Sequence, residues 1–143
     1  MATLTVEVLA PEAVLWRGGA RALVARSSEG DFTVMAGYAP TVGDVVSTVV
    51  RVEGTDEGDV RFCVHAGFFE VGPGEAEGET RATLLASVAE RVDEIDVPRA
   101  QSALERAQAA LATASSSDDP TAYVEALEAV ARAELRLRAA AGR

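Results

Sequence analysis

Lysine does not occur in this chain of 143 residues: all 13 cations are arginine, set against 23 acids for a formal net charge of -10. That balance disfavours a general affinity for nucleic-acid backbones or anionic lipid headgroups. Cysteine is reduced to Cys63, histidine to His65 and tryptophan to Trp16. One cysteine excludes an internal disulfide and a cysteine-based zinc centre, and it agrees with a reducing compartment. The lone histidine has no nucleophile or second ligand at a spacing that makes a catalytic or metal site. No catalytic residue and no metal ligand are therefore expected, and His65 and Cys63 read as ordinary strand residues. Aromatics are only 5% of the chain, so the core must come largely from Ala and Val. No run approaches the roughly 18 apolar residues of a bilayer span, and Met1 to Leu9 has no basic start followed by an apolar stretch. The expectation is a soluble, cytoplasmic-facing protein with no direct membrane insertion.

What is present divides by period. Leu4, Val6 and Val8 alternate with polar neighbours, as do Val60, Phe62 and Val64, and Ala82, Leu84, Ala86 and Val88. Phe32 with Val34, the Val45 to Val52 stretch, and Phe69 with Val71 add further strands. Arg17-Gly18-Gly19, Glu29-Gly30-Asp31 and the acidic Glu53 to Asp59 segment read as turns, and Gly72 to Glu79 as a flexible surface loop. Many short strands with no intervening helix predict a β-sandwich or flattened barrel over residues 1–89. Phe68, Phe69 and Trp16 belong either to its core or to a partner surface.

From about residue 90 apolar residues recur at steps of three and four. Ala100, Ala103, Leu104, Ala107, Ala110, Leu111 and Ala114 share one helix face, with Asp96 as N-cap and Pro98 in the first turn. Ser115 to Asp118 breaks the pattern, Asp119 and Pro120 restart it, and Tyr123, Leu127, Val130 and Leu137 form a second stripe, widened by Val124, Ala131 and Leu135. A short polar loop makes the helices antiparallel neighbours. The expectation is an α+β chain whose residues 90–143 form an antiparallel two-helix hairpin. With so few large side chains, more than one packing of that hairpin lies close in energy.

Three segments carry a family resemblance. Ser28-Glu29-Gly30-Asp31-Phe32-Thr33-Val34-Met35-Ala36-Gly37-Tyr38-Ala39-Pro40, Val64-His65-Ala66-Gly67-Phe68-Phe69-Glu70-Val71 and Ile95-Asp96-Val97-Pro98-Arg99-Ala100 are similar, in order, to motifs of the epsilon-subunit family of rotary F-type ATP synthases. The resemblance covers essentially the whole chain. Ala36 replaces the family's usual Pro, Tyr38 its usual His, and the Gly72 to Glu79 loop exceeds the family norm. The resemblance implies a non-catalytic central-stalk subunit, peripheral on the cytoplasmic side of the cell membrane. Its strand domain would bind the gamma subunit and the polar loops of the c-ring of a proton-translocating synthase, with Asp31 and Tyr38 as ring contacts. Its hairpin, extended towards the catalytic alpha and beta subunits, would inhibit ATP hydrolysis.

The helical arginines sharpen the hairpin's role. Arg99 and Arg106 lie two turns apart on one helix, and Arg132 and Arg136 one turn apart on the other, so a folded hairpin can bring their guanidinium forks towards a polyphosphate. The resemblance implies ATP as a regulatory ligand, with no cofactor required. The corresponding nucleotide-site residues are Glu90, Ile95, Asp96, Arg99, Ala100, Arg106, Arg132 and Arg136. The alternative is that Asp96 only caps a helix and that the arginines pair with Glu94, Glu105, Glu128 or Glu134 on a solvated face. From Arg132 onward, four arginines face one glutamate, whereas the rest of the chain carries nine against 22 acids. A basic tip suits an acidic partner, or simply the helix macrodipole. The resemblance assigns Arg132, Arg136 and Arg138 to the acidic C-terminal region of the beta subunit. A free-standing ATP-sensing module is the alternative function.

Overall fold

In the computed structural model, which describes residues 2–142, the period-two segments become ten strands and the period-3.6 segments two helices. The strands are β1 (Thr3–Ala10), β2 (Ala13–Ala20), β3 (Ala22–Ser27), β4 (Gly30–Val34), β5 (Thr41–Val45), β6 (Thr48–Thr55), β7 (Gly58–Val64), β8 (Gly67–Pro73), β9 (Glu79–Ala86) and β10 (Ala89–Arg91). A 3-10 turn (Val92–Glu94) precedes α1 (Val97–Ser115) and α2 (Pro120–Ala141). The chain forms two compact units that divide between Arg91 and Val92.

The first unit is a β-sandwich of two five-stranded sheets, ordered β2-β1-β9-β8-β5 and β10-β7-β6-β3-β4. β1 and β9 pair in parallel, with Val6 beside Ala82 and Val8 beside Leu84; the remaining ladders are antiparallel. Alternation sends Leu4, Val6, Val8, Phe69, Val71 and Leu84 from one sheet, and Leu23, Val34, Val50, Val52, Val60 and Phe62 from the other, into one core. Phe32 and Phe69 stack at 4.4 Å between ring centroids. Gly43 leaves room for that pair, because a Cβ there would lie 2.5 Å from the Phe69 ring.

Several local expectations change. Arg17-Gly18-Gly19 is not a turn but the second half of β2. Gly18 serves close approach rather than reversal, since a Cβ there would sit 3.1 Å from the Trp16 indole that lies over it. The Val45 to Val52 stretch splits into β5 and β6, and Val88 falls beyond β9 and is exposed. The Gly72 to Glu79 segment is pinned rather than loose: Glu79 accepts hydrogen bonds from the Ala76 N–H at 3.0 Å and the Thr5 hydroxyl at 2.8 Å. Those bonds, the Ala76 one first, hold the Glu79 carboxyl below its ordinary range.

The crossover from β7 to β8 carries backbone strain. Ala66 adopts φ +74°, a left-handed conformation that disfavours a Cβ. Ser87, on the adjoining crossover out of β9, ties the corner down by donating its hydroxyl to the His65 carbonyl at 2.9 Å and its N–H to the Ala66 carbonyl at 3.1 Å.

In the second unit, Asp96 caps α1 by accepting from the Arg99 N–H at 3.1 Å, and Asp119 caps α2 through Thr121 and Ala122. The buried residues of α1 all belong to its predicted stripe, whereas on α2 they are Ala126, Ala133, Leu135, Ala139 and Ala140, of which only Leu135 is expected from the pattern. Buried alanines recur every seven residues on both helices, at 100, 107 and 114 and at 126, 133 and 140. Ala107 and Ala133 line one hollow and Ala114 and Ala126 another, so the two sets meet in reverse order. Leu104 and Leu111 on α1, and Val130 and Leu137 on α2, alternate with them along one flank and stay half-buried. Tyr123, Val124 and Leu127, expected in the stripe, remain 41%, 51% and 42% exposed. Alanine wins the seam because it lets two backbones approach closely, and the larger side chains are then displaced sideways.

Replacing Ala66 with Gly removes the left-handed penalty and should stabilise the sandwich by about 1 kcal/mol. Gly67→Ala should instead cost more than about 2 kcal/mol, because its Cβ would collide with the Leu85 carbonyl. The urea midpoints of the two variants, shifted in opposite directions at unchanged slope, check both.

Candidate functional site

Three surface features gather groups able to bind something. On the hairpin, Arg106 from α1 and Arg132 and Arg136 from α2 border a hollow of about 330 Å³ whose remaining lining is Ala103, Ala107, Ala129 and Ala133. The α2 arginines share a face by their four-residue spacing, and the alanine seam brings Arg106 opposite them. Among the described residues Arg106 and Arg132 form no ion pair, whereas Arg138 pairs with Glu134 at 3.9 Å. Three guanidiniums around a floor of methyl groups make a concave cationic surface matched to phosphate or carboxylate oxygens.

The other predicted nucleotide-site residues are distributed differently. Arg99 is exposed and does not line the hollow; seven residues of helix, about 10 Å of rise, separate it from Arg106. Asp96 spends one carboxylate oxygen on the α1 cap. Ile95 and Ala100 are buried, and Glu90 belongs to β10 of the sandwich unit. The structure thus gathers three of the four arginines. Arg143, counted in the basic tip, lies outside the described residues.

The second feature is an apolar row on the outer face of the β2-β1-β9-β8-β5 sheet. Val14 pairs with Leu9, Leu9 with Leu85, and Leu85 with Phe68, crossing four strands in register. Val42, on β5, lies diagonally beside Phe68. Exposure reaches 75% at Val42, 64% at Phe68 and Val14, and 48% at Leu85. Of the three candidate aromatics, Phe69 is core and Trp16 half-buried, while Phe68 faces outward. The row as a whole went unread from sequence. Its signal lies in the doublets Phe68-Phe69 and Leu84-Leu85, because two adjacent apolar residues in a strand must face opposite ways.

The third feature is a pair of separate surface positions, Asp31 at the start of β4 and Tyr38 in the loop beyond its other end. Asp31, the second residue of β4, accepts a hydrogen bond from Arg26 Nε at 2.6 Å. That bond first, and the arginine charge second, keep its carboxyl below the usual range. Tyr38 sits in a loop with Met35 and Pro40, and the loop is fastened where the Gly37 N–H donates to the buried Thr80 hydroxyl at 2.8 Å. The fastening replaces rigidity that a proline at position 36 would supply. Cys63 Sγ lies 3.7 Å from His65 Nε2, both buried but on the face of β7 opposite the sandwich core.

The chain as a whole is similar to known proteins. Residues 3–92 match the family described as the ATP synthase delta/epsilon chain beta-sandwich domain, and residues 93–141 the delta/epsilon chain long alpha-helix domain. A Streptomyces coelicolor protein named ATP synthase epsilon chain is 38% identical over 142 residues, covering 99% of this chain and 98% of its own length. One of the same name from Thermobifida fusca is 39% identical over 139 residues, covering 96% and 91%. Among solved structures, a chain of the Euglena gracilis mitochondrial ATP synthase OSCP/F1/c-ring assembly shares the fold at TM-score 0.75 and 23% identity, covering 99% of this chain and 82% of that one.

Proposed function

Because this chain belongs to the ATP synthase delta/epsilon chain family, we propose that it is a non-catalytic rotor subunit of a proton-translocating synthase, coupling the membrane ring to the central stalk. The observation that carries the proposal is the exposed apolar row. A monomer gains nothing by leaving Phe68, Leu85, Val14 and Val42 in water, and contiguous apolar surface of this kind is what a permanent subunit interface covers. The row therefore docks on the gamma subunit. Asp31 and Tyr38, at opposite ends of β4, meet the polar loops of the c-ring.

The hairpin supplies regulation. In its folded state the hollow bordered by Arg106, Arg132 and Arg136 receives the polyphosphate of ATP. In its extended state Arg132, Arg136 and Arg138 meet an acidic surface of the catalytic beta subunit and restrain hydrolysis. Two features support a change of shape: a seam rich in alanines, each burying little area, and the like charges of Arg106 and Arg132 bordering one hollow. The assembly is thus peripheral, held at the cytoplasmic face of the membrane by its partners. A free-standing ATP sensor would use the same hollow but leave the apolar row without a purpose.

Fully burying a phenylalanine contributes about 1.5–3 kcal/mol, so Phe68→Ala should weaken binding to gamma by roughly 10- to 150-fold with an unchanged melting temperature; co-purification at wild-type yield would exclude the row as the interface. ATP at a hundred times its dissociation constant stabilises the state it binds by about 2.7 kcal/mol. Millimolar ATP should accordingly raise the melting point of the wild type by several degrees but not that of Arg132→Gln; no wild-type shift would remove ATP from the reading. Deleting residues 115–143 should raise ATP hydrolysis by the reconstituted synthase, and an unchanged rate would remove the inhibitory role.

A further inference from the structure

Asp31, the carboxylate assigned above to a polar partner loop and suited by its charge to a cation there, already holds one. Arg26 and Asp31 stand directly opposite each other in the β3–β4 ladder, joined at 2.6 Å. Both side chains are open to solvent, at 56% and 68% exposure, so either can exchange its partner without opening the sandwich. The backbone beneath them is fixed. The Val46 N–H donates to the Arg26 carbonyl at 3.0 Å, and the neighbouring Asp44 carboxylate is committed to the Ser28 N–H and hydroxyl, both at 3.0 Å. At this turn Arg26 is the cation, and Glu29 and Asp31 are the acids not held by a backbone turn.

We propose that Arg26 is a built-in competitor for the cationic partner surface: it holds Asp31 in an intramolecular pair that must exchange before Asp31 can engage a partner, and so sets the strength of that contact. The proposal rests on the reading of Asp31 as a partner contact. An exposed pair of this kind is weak and screened by salt, which suits a contact that must be made without locking. The planar arginine fork, matched to a carboxylate, is also harder to displace than an ammonium. A partner presenting arginine can therefore replace Arg26 on nearly equal terms, while weaker cations are turned away.

The test measures binding of the full chain to detergent-solubilised synthase stripped of this subunit, at low and at high ionic strength. Arg26→Gln should bind about two- to fivefold more tightly at low salt and no differently at high salt. Arg26→Lys should fall between it and wild type. Arg51→Gln removes the same charge and a similar exposed pair, Arg51 Nε to Glu53 Oε2 at 2.8 Å, elsewhere in the sheet, and should bind as wild type. Tightening cannot come from a folding defect. If Asp31→Asn weakens binding but Arg26→Gln tightens it no more than Arg51→Gln does, the competitor role is overturned while Asp31 stands as a contact. If Asp31→Asn binds as wild type, the contact reading fails and the competitor role fails with it.

Discussion

The parallel pairing of β1 with β9 is the constraint on which the sandwich depends. It joins residues more than 70 positions apart, from Thr3 beside Glu79 to Leu9 beside Leu85. Without it the first sheet would fall into a β1–β2 hairpin and a β9-β8-β5 meander, neither with enough buried area to stand alone. The same register sets both faces. Val6 and Val8 meet Ala82 and Leu84 inside, and Leu9 meets Leu85 outside, which makes the outward apolar row continuous rather than two separate patches. Core and candidate interface are thus two consequences of one ladder. Glu79 adds a polar clasp where the ladder begins, through the Thr5 hydroxyl.

The hairpin obeys a different economy. Apart from Leu135, its buried side chains are the methyl groups of alanine, whereas the sandwich buries whole Val, Leu and Phe side chains. Alanine gives up almost no side-chain freedom on packing and gains little transfer energy. Helix formation therefore rests on propensity and caps, and helix pairing on close approach. This division leaves the arginine hollow open. A leucine at Ala107 or Ala133 would fill the floor between the guanidiniums.

What could be read from sequence, and what could not, follows from the range of the interactions. Most of the strand alternation, the Asp96 and Asp119 caps and, to within a residue, the break after α1 are local and are realised where the pattern puts them. Gly18 was misread because a glycine that accommodates an indole looks, in one dimension, like a glycine that turns the chain. The α2 stripe was misassigned because the largest apolar residues were taken to mark the seam, whereas close backbone approach favours the smallest. The apolar row needed the β1–β9 register, which no local pattern encodes. For the arginines, spacing brought Arg132 and Arg136 together, but the exclusion of Arg99 from the hollow depends on where α1 meets α2.

The alanine seam also bears on temperature. Heat-capacity change follows the apolar area exposed, and opposing rows of methyl groups expose little of it when they part. Enthalpy and entropy of closing the hairpin then vary only weakly with temperature, unlike those of the sandwich, whose stability must pass through a curved maximum. Pairing of the two helices would then follow a nearly straight van't Hoff line, with no temperature of maximum stability within the range a cell meets.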